Sequence, residues 1–262
     1  MRNNVLDLFK KQKSGSKLCM ITAYDAPTAQ MAENAGVDAI LVGDSVATTV
    51  LGMENTLTIS LEQMIYHARA VVRGTQKTII IGDMPFLSYQ AGKEWALQSA
   101  GKFIQEAGVQ AVKLEWCVNA FEITKFLTGN GIPVMGHVGF TPQSIYQMGG
   151  YHLQGKTEKA ARQIFHQAKL FEKAGAFSVV LELMPAALSK SITMELNIPT
   201  IGIGAGEDCD GQVQVLHDLL GLLKDFHPKH AVQYLNLYEL IQNAIQKYVQ
   251  DVRRQKLYHQ KL

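Results

Sequence analysis

The sequence predicts an α/β fold, a (β/α)8 TIM barrel. Three observations point there. Short, nearly continuous apolar runs rich in β-branched residues recur along the chain, as expected of parallel strands buried on both faces. Each run is followed by a polar or glycine turn and then a helix-like stretch, which implies β/α units with right-handed crossovers. The length of 262 residues matches the roughly 250 residues of such barrels. A doubly wound open sheet is the alternative.

The predicted strands are Leu18–Tyr24, Ala39–Asp44, Thr78–Asp83, Ala111–Glu115, Pro133–Gly139, Phe177–Glu182 and Pro199–Gly204. An eighth is expected near Asp218–Leu222, where LLGLL reads equally as strand or helix. Among the helices, Ser60–Gly74 has Ser60 as N-cap with Gln63 three residues on, and stops at Gly74. Glu94–Ala107 is followed by Gly108 and Glu158–Ala174 by Gly175, each a C-cap. Tyr238–Val252 reads as a last helix, and its basic tail (Arg253, Arg254, Lys256, Lys261) as a solvated end. No linker or low-complexity tract divides the chain, so residues 1–262 read as one barrel domain with a short N-terminal extension and a C-terminal helix.

Composition narrows the function. Hydrophobic residues make up 47% and charged residues 18%, which supports a sizeable core and excludes global disorder. The 25 basic and 23 acidic side chains nearly cancel, which argues against nucleic acid as partner. No apolar run reaches the roughly 20 residues of a membrane helix, and the N-terminus lacks the apolar core of a signal peptide. Cys19, Cys117 and Cys209 are far apart and odd in number, which fits a reducing cytoplasm. With no C-x-x-C or H-E-x-x-H, a dedicated zinc site is not expected.

In parallel β/α proteins the chemistry sits at the carboxyl ends of the strands. Those ends carry Asp44-Ser45, Asp83, Lys113 with Glu115, His137 and Glu182. Lys113 and Glu115 are two apart and share a side of their strand, facing the barrel mouth. One strand-end aspartate can simply cap the next helix. Acids at four successive strand ends, each after an apolar run, point to a shared site, because an unpaired buried charge is costly. Lys113 could merely pair with Glu115 or Asp83. A lone histidine such as His137 is more often structural. Oxygen donors without a Cys/His cluster favour a hard cation such as Mg2+, with Asp44 and Asp83 as the best pair of ligands. A metal beside a lysine suits a chelating anion such as a 2-oxo acid, with Glu182 across the barrel as general base. The glycines at 202, 204 and 206 fail the dinucleotide fingerprint, because Glu207 stands where Gly or Ala is needed. A tight strand-to-loop turn explains them.

Several longer segments add a resemblance. ITAYDAPTAQMAENAGVDAILVGDS, GDMPFLSY, AVKLE, GHVGFTPQS with GGYHLQGK, and IPTIGIGAGEDCDGQVQVLHDLLGL together resemble the ketopantoate hydroxymethyltransferase family from about Lys17 to Tyr234. The resemblance implies a barrel of the phosphoenolpyruvate/pyruvate-handling type. It also implies transfer of a hydroxymethyl group from 5,10-methylenetetrahydrofolate to 3-methyl-2-oxobutanoate, on the route to pantothenate. Asp44, Asp83 and Glu115 would then correspond to the Mg2+ site. Asp44, Ser45, Asp83, Lys113 and His137 would contact substrate, and Glu182 would accept the proton. A cytoplasmic homodecamer is implied as well. Trp116-Cys117 and Val46-Ala47 depart from the family's usual residues beside the site. A Mg2+-dependent lyase or aldolase on another 2-oxo acid, and a non-catalytic oligomeric barrel, are the competing readings.

Overall fold

The computed structural model describes residues 2–224, 228 and 231–254. Eight parallel strands close on themselves in sequential order: β1 (Leu18–Thr22), β2 (Ala39–Val42), β3 (Ile79–Asp83), β4 (Ala111–Glu115), β5 (Val134–Gly139), β6 (Ser178–Glu182), β7 (Thr200–Ile203) and β8 (Gly211–Gln214). Leu18 pairs with Gly211, so β1 and β8 seal the barrel. The helices are α1 (Val5–Lys13), α2 (Ala26–Asn34), α3 (Val46–Thr49), α4 (Leu61–Gly74), α5 (Lys93–Lys102), α6 (Ala120–Gly129), α7 (Ile145–Met148), α8 (Glu158–Lys173), α9 (Ala186–Glu195), α10 (Leu216–Leu220) and α11 (Leu237–Arg253). The chain gathers into two compact units, residues 2–214 carrying the barrel and the segment from Val215 onward carrying α10 and α11.

The eighth strand is not where the apolar pattern placed it. β8 is Gly211–Gln214, and most of the Asp218–Leu222 stretch belongs to α10 and the turn that ends it. The segment 204–210 joins β7 to β8 without a helix. β8 alternates buried and half-buried residues, so it lacks the continuous apolar run that marks its neighbours. The helix signals fared better. Ser60 and Gln63 form a reciprocal capping box at the start of α4, and α5 runs on as a π-helical turn, Phe103–Ala107, to Gly108 in the left-handed region. Arg253 and Arg254 are exposed, as a solvated end requires, whereas Lys256 and Lys261 lie outside the described residues.

Two apolar clusters hold the barrel. One packs the helices onto the outside of the sheet and includes Val42, Ile80, Leu114, Phe103 and Phe171. The other fills the interior with Leu18, Met20, Leu41, Ile79, Ile81, Ala111, Met135, Val180, Ile201 and Val213. The N-terminal extension is α1, whose Leu8 belongs to this interior cluster, with Val5 and Phe9 packed against it. Because side chains alternate across a strand, the inward face continues by twos toward the carboxyl end. It runs from Ile79 and Ile81 to Asp83, from Ala111 to Lys113 and Glu115, from Met135 to His137, and from Val180 to Glu182. The apolar layers below thus carry a layer of charge at the mouth.

Candidate active site

Strand register sets the pairs in that layer. Asp83 and Lys113 are partners across β3 and β4, and Lys113 Nζ reaches Asp83 Oδ1 at 2.6 Å. Their side chains are only 2% and 4% exposed, so Lys113 is buried within the mouth layer, and of its two possible acids it takes Asp83. The other oxygen of Asp83 accepts the Asp44 backbone N–H at 3.1 Å. This joins β3 to the turn after β2.

Glu115 and His137 are register partners across β4 and β5. His137 Nδ1 lies 3.6 Å from Glu115 Oε1, and Nε2 lies 3.2 Å from Glu182 Oε2. Both are charge-pairing distances, and neither ring nitrogen has a hydrogen-bond partner. Glu182 is the half-buried member of the set. Ser45, half-buried beside Asp44, meets Tyr24 across a 2.8 Å hydroxyl contact.

Sequence reasoning missed Gln143 and Tyr89. Gln143 sits in the 3-10 turn Pro142–Ser144 after β5. Its Nε2 donates to Asp44 Oδ2 at 3.1 Å and to the Met84 carbonyl at 2.9 Å. Its backbone N–H donates to Glu115 Oε2 at 3.0 Å. The Tyr89 hydroxyl donates to Gln143 Oε1 at 2.8 Å and accepts from the Glu115 backbone N–H. Both residues lie inside segments that carry the family resemblance, GHVGFTPQS and GDMPFLSY. That was their one available signal.

The electrostatics follow from burial. Four carboxylates (Asp44, Asp83, Glu115, Glu182) face two cationic groups. Burial, and then Asp83 and Glu115, push the Asp44 carboxyl well above the usual range. Burial is the largest influence on Lys113 and acts against its charge, but Asp83, Glu115 and Asp44 outweigh it and raise the ammonium pKa. Burial likewise works against a charged His137, followed by Lys113, but Glu115 and Glu182 prevail and lift the imidazole to about 9. At neutral pH both bases are therefore charged, and the carboxyl groups outnumber them by two. A proton on Asp44 would halve that excess, and a divalent cation would cancel it. Among the described residues, no three His, Cys, Asp or Glu side chains converge on a ready-made ion cage.

The residues singled out as departures are packing groups. Val46 and Ala47 are fully buried in the outer core, and Trp116 stacks edge-on against Phe171 at 5.4 Å. The glycine run is a tight turn, since a side chain at Gly206 would stand 2.6 Å from Ala186 Cβ.

Fold and site together define a parallel β/α barrel enzyme with buried carboxylates, one paired lysine and a histidine at the carboxyl mouth. The fold is similar to that of phosphonopyruvate hydrolase, at a TM-score of 0.66 and 13% identity over 99% of this chain and 90% of that one. It is also similar to that of 2,3-dimethylmalate lyase, at a TM-score of 0.61 and 16% identity over 100% and 91%. The chain belongs to the ketopantoate hydroxymethyltransferase family, whose profile matches residues 2–259. It is 51% identical to the 3-methyl-2-oxobutanoate hydroxymethyltransferase of Dehalococcoides mccartyi over 96% of this chain and 90% of that protein. With the enzyme of the same name from Carboxydothermus hydrogenoformans it shares 48% identity over 99% and 94%. Among the described residues, no helix is long and apolar enough to cross a membrane.

Proposed function

We propose that this chain transfers a hydroxymethyl group from 5,10-methylenetetrahydrofolate to 3-methyl-2-oxobutanoate, giving 2-dehydropantoate and tetrahydrofolate. The observation that carries the reading is the buried acid layer with its single paired lysine, in a chain of this family. The same reading includes a cytoplasmic, self-associating enzyme, with the decamer as the expected assembly.

Asp44, Asp83 and Glu115 would hold Mg2+. The donor set fits: it is all hard oxygen, it carries surplus negative charge, and buried Glu115 Oε1 has no hydrogen-bond partner. Magnesium needs only one or two protein carboxylates and keeps water or substrate in its other positions, so a complete protein cage is not required. When bound, the ion supplies Lewis-acid stabilisation of the negative charge that develops on the keto oxygen.

The chain's own residues do the rest. Lys113, fixed by Asp83, adds positive charge at the oxo-acid head in a water-poor site where charge acts strongly. Ser45 and Asp44 border the same head group. Glu182 takes the proton from C3, and His137, 3.2 Å away, balances the charge that Glu182 carries before it does so. The C3 carbanion equivalent forms a bond to the folate's methylene carbon. Water supplies the hydroxyl as the two carbon–nitrogen bonds break, and its other proton and the one taken from C3 end on the two folate nitrogens.

Product analysis with the oxo acid, methylenetetrahydrofolate and Mg2+, omitting each in turn, tests this. Product should require all three. Turnover of another oxo acid without folate would move the assignment to a lyase or aldolase. Absence of both Mg2+ and oxo-acid binding would leave a non-catalytic barrel.

A further inference from the structure

Gln143 belongs to no charged motif, yet its side chain and backbone N–H contact two of the acids, Asp44 and Glu115. All four hydrogen-bonding positions of its amide are used. Nε2 gives one proton to Asp44 Oδ2 and one to the Met84 carbonyl. Oε1 accepts from the Tyr89 hydroxyl and from Gln90 Nε2. The orientation of the amide is thereby fixed. The Met84 carbonyl can only accept, so the amide atom facing it is the nitrogen, and the Tyr89 hydroxyl, which accepts from the Glu115 backbone N–H, donates to Oε1 at 2.8 Å in preference to the Glu115 carbonyl at 3.4 Å. The backbone N–H of the same residue holds Glu115 Oε2.

The pattern left behind is the informative part. Asp44 comes from the turn after β2 and Glu115 from the end of β4, and Gln143 ties down one oxygen of each. The second oxygen of Glu115 is buried without a hydrogen bond, 3.6 Å from His137. The second oxygen of Asp44 has no hydrogen bond among the described residues. An unmet buried oxygen such as Glu115 Oε1 is costly, and a cation that it shared with Asp44 would meet that cost.

We infer that Gln143 is a positioning residue: locked by Tyr89, it orients Asp44 and Glu115 so that their remaining oxygens present a common face to the cation. It acts through these two acids. The inference rests on the metal reading above and deepens it, because it names what sets the ligand geometry. Partners of this kind typically change metal affinity by about 10- to 100-fold.

The test uses the full-length protein without either organic substrate, with Mg2+ titrated by calorimetry and folding followed by thermal melting. Gln143→Leu should weaken Mg2+ binding by at least about tenfold. Tyr89→Phe keeps the glutamine but removes its lock, and should weaken binding in the same direction by less. In exchange of the oxo-acid C3 hydrogen, both variants should need more Mg2+ for half-maximal rate and should regain rate as Mg2+ is raised. A purely structural role would instead lower the melting temperature and the saturated rate, leaving the Mg2+ requirement unmoved. If Gln143→Leu does not fold, Tyr89→Phe decides alone. Wild-type affinity in the folded variants overturns the inference and leaves the metal reading standing. A wild-type protein that binds no Mg2+ overturns both.

Discussion

Replacing Lys113 with methionine isolates the ion pair at the centre of the site. The change keeps an unbranched side chain one atom shorter and removes its charge. Asp83 then loses the ammonium 2.6 Å from Oδ1 and retains only the Asp44 N–H on Oδ2. Both partners are almost wholly buried, so water cannot make up the loss. Removing one member of such a pair costs about 3–5 kcal/mol. At roughly 2–4 °C per kcal/mol for a chain of this size, the melting temperature should fall by about 10 °C. The pH dependence follows from the direction of the shift. The folded ammonium has a raised pKa, so its contribution is complete below the ordinary lysine value of about 10.4 and is lost only as pH climbs through the folded value. The penalty of the variant should therefore be constant across neutral pH. Adding Asp83→Asn to Lys113→Met should recover much of the loss, because the stranded charge is gone. Urea or thermal unfolding at fixed protein concentration measures all of this. If Lys113→Met is as stable as wild type from pH 6 to 9, the pair contributes nothing and the electrostatic account of the layer is wrong.

Two further outcomes follow from the same contacts. His137, lifted to about 9 when folded against about 6.5 when unfolded, adds stability that is complete below about pH 6.5 and lost as pH rises through 9. His137→Gln should flatten that part of the pH profile, and an unchanged slope would exclude the histidine as its source. Gly74→Ala sets helix propensity against contact. Alanine gains about 1 kcal/mol within a helix, but its Cβ would stand 2.3 Å from the Ala26 carbonyl oxygen. Forcing α2 and α4 apart at the backbone should win, with a net loss of about 1–2 kcal/mol. A variant more stable than wild type would show that the helices part easily.

Most of the site was legible because a strand's period of two carries its inward face from apolar to charged residues without a break. Asp83, Lys113, Glu115, His137 and Glu182 all continue such a face. Their depth along the barrel axis leaves no trace in spacing, so the near-complete burial of Lys113 and Asp83 at the mouth is not legible there. β8 escaped detection because Gln212 and Gln214 are polar and half-exposed, while the more apolar LLGLL stretch forms α10 and the turn that ends it. Gln143 and Tyr89 are neutral and lie outside the strands. Gln143 is 99 positions from Asp44, and only the closure of the fold brings the two together. The role of α1 was equally hidden, since one short amphipathic helix gives no sign of which end of a barrel it covers.

Deuterium exchange at C3 of 3-methyl-2-oxobutanoate, with Mg2+ present and folate absent, tests the central claim most directly. Wild-type protein should exchange the C3 hydrogen, because enolisation does not strictly need the second substrate. Asp44→Asn should lose exchange together with Mg2+ and oxo-acid binding. Glu182→Gln should lose it by about 100-fold or more while still binding both. Exchange by Glu182→Gln at the wild-type rate would contradict the account and move the base elsewhere, with His137, 3.2 Å from Glu182, the first group to examine.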